Sequence, residues 1–164
     1  MPMKKVYVET TVISDATALP TNDLTLVARQ VATREWWAKA KGHFELFVSA
    51  TVIREAGQGD AAASRRRLYA LAGLAKLPLV DEVLALAQRL VDAKAVPVRY
   101  REDAMHIAFA AVYGMDYLVS WNFRHITNAQ IIPKIKCVCA ENGYKSAEIC
   151  TPQMLNAEAI DDEQ

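Results

Sequence analysis

Three acidic residues recur at matching places in this chain. Glu9 directly follows the apolar run Val6-Tyr7-Val8, Glu55 lies in the helix expected after the apolar run Phe44 to Val48, and Asp103 opens a helix that precedes the buried run Tyr117-Leu118-Val119. If the strand ends lie side by side, the carboxylates converge. Carboxylates without basic partners repel one another in a cleft, and a hard divalent cation, Mg²⁺ or Mn²⁺, is the usual way to neutralise them. A cation held in this way activates water and steadies a phosphoryl transition state. Asp103 and its neighbour Glu102 fall in a first helical turn, where unpaired N–H groups and the macrodipole favour negative charge.

The elements that must position these acids are short strands alternating with helices. Arg101–Ile126 is the organising stretch. Ala104, Ile107, Ala108 and Ala111 repeat at the spacing of a helix lying on a core, Gly114 ends it, and Ser120-Trp121-Asn122 leaves the carboxyl end of the strand at 117–119. Upstream, a helix is expected over 12–16, and a long one over 23–41, capped by Thr21 or Asn22 and amphipathic through Leu24, Val27, Val31 and Ala38. Ser49 is the expected cap of the helix bearing Glu55, and Asp60 the cap of a helix over 61–71. Ala75 to Val80 reads as a strand near the sheet edge, since Pro78 interrupts it. Asp81 starts a helix to about Lys94, with Val83, Leu84, Ala87, Leu90 and Val91 as its apolar face. Residues 128–139 read as a helix that must accommodate Pro133, and Lys145 to Cys150 as a last strand. The alternation predicts one α/β domain over 1–152, a three-layer α/β/α sandwich around a mostly parallel sheet of about five strands. An acidic, loosely held tail is expected over 153–164.

With 164 residues, 52% of them apolar, the chain supports one well-cored domain rather than two. Its 19 basic and 19 acidic side chains cancel, so no global field draws it to nucleic acid; binding of that kind must come from a local patch. Cys137, Cys139 and Cys150 match no usual zinc spacing and read as reduced, buried cysteines of a cytoplasmic protein. No window approaches the roughly 18 apolar residues of a membrane span, so no membrane is expected among its partners.

Taken in order, VYVETTVISDA, FVSATVIREA and EDAMHIAFAAVYGMDYLVSWNFRHI resemble the successive motifs of PIN-domain ribonucleases, nearest to the virulence-associated-protein-C-type toxins of toxin–antitoxin pairs. The resemblance spans roughly residues 4–152. It implies metal-dependent hydrolysis of RNA phosphodiesters by an activated water, with a cognate antitoxin protein as regulator. It puts Glu9, Glu55 and Asp103 in the places of the metal-holding acids, and Thr10 or Thr11 in the place of the hydroxyl that follows the first acid. Two positions depart from the pattern. Glu9 stands where the family has Asp, one methylene shorter, and Asn122 stands where it commonly has a fourth acid. Asn122 could ligate through its carbonyl or orient a water, but it brings no charge. These departures leave open a second reading, a catalytically weak PIN-like module that binds RNA or protein.

Blander readings compete at single residues. Lone acids on helices are mostly solvated surface, and only the ordered set singles out Glu55. A carboxylate at the end of a buried strand, like Glu9, is costly unless paired or metal-bound. Asp15 reads as a turn residue. His106, three residues after Asp103, reads as a satisfied helix histidine. Arg124 and His125 are surface residues by default, although either could hold a phosphate near the metal. Arg65-Arg66-Arg67 has the pattern of a solvated face. Trp36 and Trp37 point about 100° apart on a helix, so one packs inward while the other is a candidate anchor for a partner or for a second copy in a homodimer.

Overall fold

The computed structural model describes residues 2–155. Lys4–Val8 forms β1, whose Val6, Tyr7 and Val8 are buried and suit a strand covered on both faces. Helices Thr10–Thr17 (α1) and Leu24–His43 (α2) lead to Phe44–Ser49 (β2). Ala50–Ala56 (α3) and Ala61–Leu71 (α4) lead to Ala75–Leu77 (β3), and Asp81–Asp92 (α5), a single 3-10 turn at Val98–Tyr100 and Arg101–Val112 (α6) lead to Tyr117–Val119 (β4). Ile132–Glu141 (α7) and Glu148–Cys150 (β5) complete the order. The sheet runs β3-β2-β1-β4-β5, and every pairing is parallel.

Because β1 pairs with β2 on one side and β4 on the other, the chain leaves β1 in one direction and later returns to its opposite edge. Such a switch point leaves a crevice at the carboxyl ends of the strands. Helices α1, α2, α3 and α4 pack among themselves, as do α5, α6 and α7, giving the expected three-layer α/β/α sandwich. Helix α6 is buried almost all round. Its Ala104, Ala108 and Ala111 permit close approach, while Met105, Ile107 and Phe109 fill the space around them. Gly114 follows it at φ +66°, a conformation that a residue with a Cβ resists.

Several local expectations are corrected. Asp23, not Thr21 or Asn22, caps α2, its carboxylate accepting from the N–H groups of Thr25 and Leu26. The face of α2 that packs inward is Gln30, Thr33, Trp36 and Ala40, whereas Leu24 and Val31 are exposed. The reason lies in Thr33 and Trp36: Thr33 receives the Trp121 indole N–H at 2.8 Å, and Trp36 joins the core, so larger contacts override the aliphatic stripe. In α5, Leu86 is buried and Leu84 exposed, and of the three cysteines expected to be buried Cys139 and Cys150 are, whereas Cys137 on α7 is exposed. The third and fifth strands are shorter than expected, Ala75–Leu77 and Glu148–Cys150. β3 does lie at the sheet edge, and Pro133 sits in the first turn of α7, where a missing N–H costs nothing. The tail expected from residue 153 lies, over 156–164, outside the described residues.

Phe109 is fully buried between Tyr7 and Tyr113, with ring centroids 6.3 Å away on each side. Phe109→Ala is expected to lower unfolding free energy by about 3–5 kcal/mol in urea titration.

Candidate active site

Glu9 is the first residue after β1 and the N-cap of α1, an unusual role for glutamate. Its extra methylene lets the carboxylate fold back on its own helix: Oε2 accepts from the Thr11 N–H at 2.8 Å and Oε1 from the Thr11 hydroxyl at 2.7 Å. The Ser120 hydroxyl, just past β4, also donates to Oε1. The backbone closes the same seam, with the Glu9 N–H on the Val119 carbonyl at 3.1 Å and the Trp121 N–H on the Thr11 hydroxyl at 2.9 Å. Only 3% of Glu9 is exposed, so these hydroxyls and amides compensate its buried charge.

Glu55, on α3, is reached by Thr10 and His106, both at 2.6 Å and both on Oε1. His106, on α6, is 1% exposed, and its Nδ1 meets the Tyr7 hydroxyl at 2.7 Å. That hydroxyl in turn meets Ser49 Oγ at 2.7 Å. Burial alone would raise the Glu55 pKa, but the His106 hydrogen bond and charge, with Thr10 and Arg54, outweigh it and hold the group below its ordinary 4.5. Burial likewise pushes His106 down, and the hydrogen bond to Glu55 with the fields of Glu9, Glu55 and Asp103 brings it above its ordinary 6.5. All three predicted acids therefore act on this one imidazole. Tyr7 is raised well above 10.0, by burial first and by Glu9 and Glu55 in addition.

Asp103, in the first turn of α6, has Oδ2 on His125 Nδ1 at 2.9 Å. His125 is not a surface residue: 7% of it is exposed, and its ring lies 4.2 Å from that of Tyr100. Asn122 sets this up, because its Oδ1 accepts the His125 N–H at 3.0 Å while its own N–H donates to Ser120 Oγ. Arg124 is exposed, and neighbouring Glu102 pairs outward with Arg54. Asp15 is also no turn residue. It is buried within α1, where Arg29 grips both oxygens at 2.5 and 3.1 Å. Of the arginine run, Arg65 is exposed as a solvated face requires, whereas half-buried Arg66 and Arg67 bond the carbonyls of Thr17, Ala56 and Gln58 and so tie loops together.

The structure thus brings Glu9, Glu55, Asp103, Thr10, Thr11 and Asn122 to neighbouring strand and helix ends, and adds Ser120, His106 and His125. The two histidines and Ser120 were not picked out in the sequence as site residues, although a histidine inside the small apolar run of α6 signals a buried partner. For a hard divalent cation the donor set fits in kind, being carboxylate and amide oxygen with hydrogen-bonded outer partners. Among the described residues, however, no group of three or more His, Cys, Asp or Glu side chains is placed to hold a metal ion. Glu9 already uses three of about four acceptor positions. No family model, curated protein or solved structure matches the chain. No helix among the described residues is long and apolar enough to cross a membrane.

Two outcomes follow from this geometry. Thr11→Val deprives Glu9 of a donor and the Trp121 N–H of its acceptor, and should cost about 1–3 kcal/mol in urea denaturation. The Glu55–His106 pair should impose a pH window on stability. Glu55's lowered pKa gives stability that is present above pH 4.5 and lost as pH falls through the folded value, and His106's raised pKa gives stability that is present below pH 6.5 and lost as pH rises through the folded value. Thermal melts should therefore show a plateau between those limits, and Glu55→Gln should flatten the profile.

Proposed function

We propose that this protein is a Mg²⁺- or Mn²⁺-dependent endoribonuclease of the PIN type, the toxin of a toxin–antitoxin pair. The observation that carries this reading is the hydrogen-bond network that ties the three acids together: Thr10 and Thr11 link Glu55 to Glu9, and Ser120, Asn122 and His125 link Glu9 to Asp103. The ordered motif resemblance supports the RNA substrate and the antitoxin partner. Glu9, Glu55 and Asp103 would hold the cation, which when bound supplies an activated water and neutralises charge on the phosphodiester. Thr10 and Thr11 hold Glu55 and Glu9, and Asn122 holds the turn that carries His125 onto Asp103. Exposed Arg124, two residues beyond Asn122, is the cation available to a backbone phosphate. The expected compartment is the cytoplasm.

A second reading keeps the fold but not turnover: a PIN-like module that binds RNA or protein. The three hydrogen bonds that already satisfy Glu9 favour it, because they reduce that carboxylate's capacity for a cation. Purified, partner-free protein should cleave RNA only when Mg²⁺ or Mn²⁺ is added. Asp103→Ala should lower the rate by at least about 100-fold, the upper end of what loss of even an outer-shell partner costs. Cleavage that is absent in wild type, or unchanged in Asp103→Ala, sinks the nuclease reading.

A further inference from the structure

The best-connected group near the acids is one that the proposed reaction does not itself use. His106 lies in the middle of α6 and is completely buried, yet hydrogen-bonds on both sides. We infer that His106 is the positioning residue for Glu55, transmitting the fixed geometry of the sheet through a Ser49–Tyr7–His106 chain to one carboxylate oxygen. The inference rests on the reading of Glu55 as a cation ligand.

A carboxylate only accepts, so Nε2 of His106 carries a proton toward Glu55 Oε1. With the ring neutral, Nδ1 accepts from the Tyr7 hydroxyl, which accepts from Ser49. With the ring charged, Nδ1 donates to Tyr7, and Tyr7 donates to Ser49 Oγ. The Nε2–H···Oε1 bond is the same in both cases, so the position of Glu55 does not depend on the charge of the ring. Both ends of the chain are anchored. Tyr7 is a fully buried residue of β1 whose ring stacks on Phe109, and Ser49 caps α3 by accepting the Val52 N–H at 3.2 Å.

The consequence is directional. Thr10 and His106 both engage Oε1, and among the described residues no hydrogen bond reaches Oε2, which is left as the oxygen that Glu55 can offer a ligand. Glu55 itself is partly exposed on a short helix that Gly57 ends. Without the imidazole its carboxylate would keep only the Thr10 contact and regain rotamer freedom, the usual source of weakened ligation when an outer partner is lost.

The test is Mn²⁺ calorimetry on the full chain, with RNA cleavage measured in parallel and thermal melts to confirm folding. Wild type should bind Mn²⁺; His106→Leu should bind about 10- to 100-fold more weakly. His106→Gln, whose amide nitrogen can replace Nε2, should restore most of the affinity. Should His106→Leu not fold, Tyr7→Phe serves, since it unties Nδ1 without touching Glu55 and should weaken Mn²⁺ binding several-fold. In ¹⁵N-histidine NMR of wild type, Nε2 of His106 should carry a slowly exchanging proton that exchanges fast in Glu55→Ala. Mn²⁺ affinity unchanged in His106→Leu or in Tyr7→Phe, no Mn²⁺ binding by wild type, or an unprotonated Nε2 overturns the inference. Mn²⁺ binding that depends on His106 without RNA cleavage upholds it and overturns the nuclease reading instead.

Discussion

A carboxylate buried at the end of the central strand is the constraint on which the rest of this structure depends. Placing Glu9 out of water costs several kcal/mol unless hydrogen bonds replace its hydration. The replacements come from Thr11, two residues along the chain, and from Ser120, beyond a different strand. Satisfying one charge therefore fixes three things together: the start of α1, the pairing of β1 with β4, and the path of the Ser120-Trp121-Asn122 segment. A chain without these hydroxyls would have to expose Glu9 or leave it unpaired, and either change would open the switch point of the sheet.

The other acids extend the same pattern outward. Thr10 and Thr11 face different carboxylates, so adjacent residues of one helix turn hold Glu55 and Glu9. Ser120 serves Glu9 and also receives the Asn122 N–H, and Asn122 places His125 on Asp103. Each carboxylate has its own donor, and the donors are linked through the backbone. Negative charge is thereby concentrated at one end of the sheet in a neutral protein, with Arg54 drawn outward by Glu102 and Arg29 committed to Asp15.

Much of the fold was legible because strands buried on both faces read as unbroken apolar runs. Val6-Tyr7-Val8 and Tyr117-Leu118-Val119 fall in the sheet as such runs, Phe44 to Val48 does so although exposed Glu45 interrupts it, and Ser49 and Asp60 cap their helices as their side chains suggest. The buried face of α2 was not legible. Its inward residues include the polar Gln30 and Thr33, and Thr33 meets the distant Trp121, a contact that periodicity does not encode. The site divides in the same way. The positions of Glu9 and Asp103 follow from a strand end and a helix start, and that of Glu55 from the short helix between Ser49 and Gly57, all of which are local. The burial of His125 depends on Asn122, Tyr100 and Asp103 meeting across the fold, and no spacing in the chain encodes that.

We propose that these three carboxylates share one cation. The most direct test is an anomalous difference map from crystals grown with Mn²⁺. A shared cation will give a peak in contact with carboxylate oxygens of Glu9, Glu55 and Asp103. A map with no peak there, and Mn²⁺ bound only elsewhere on the surface, would contradict the proposal.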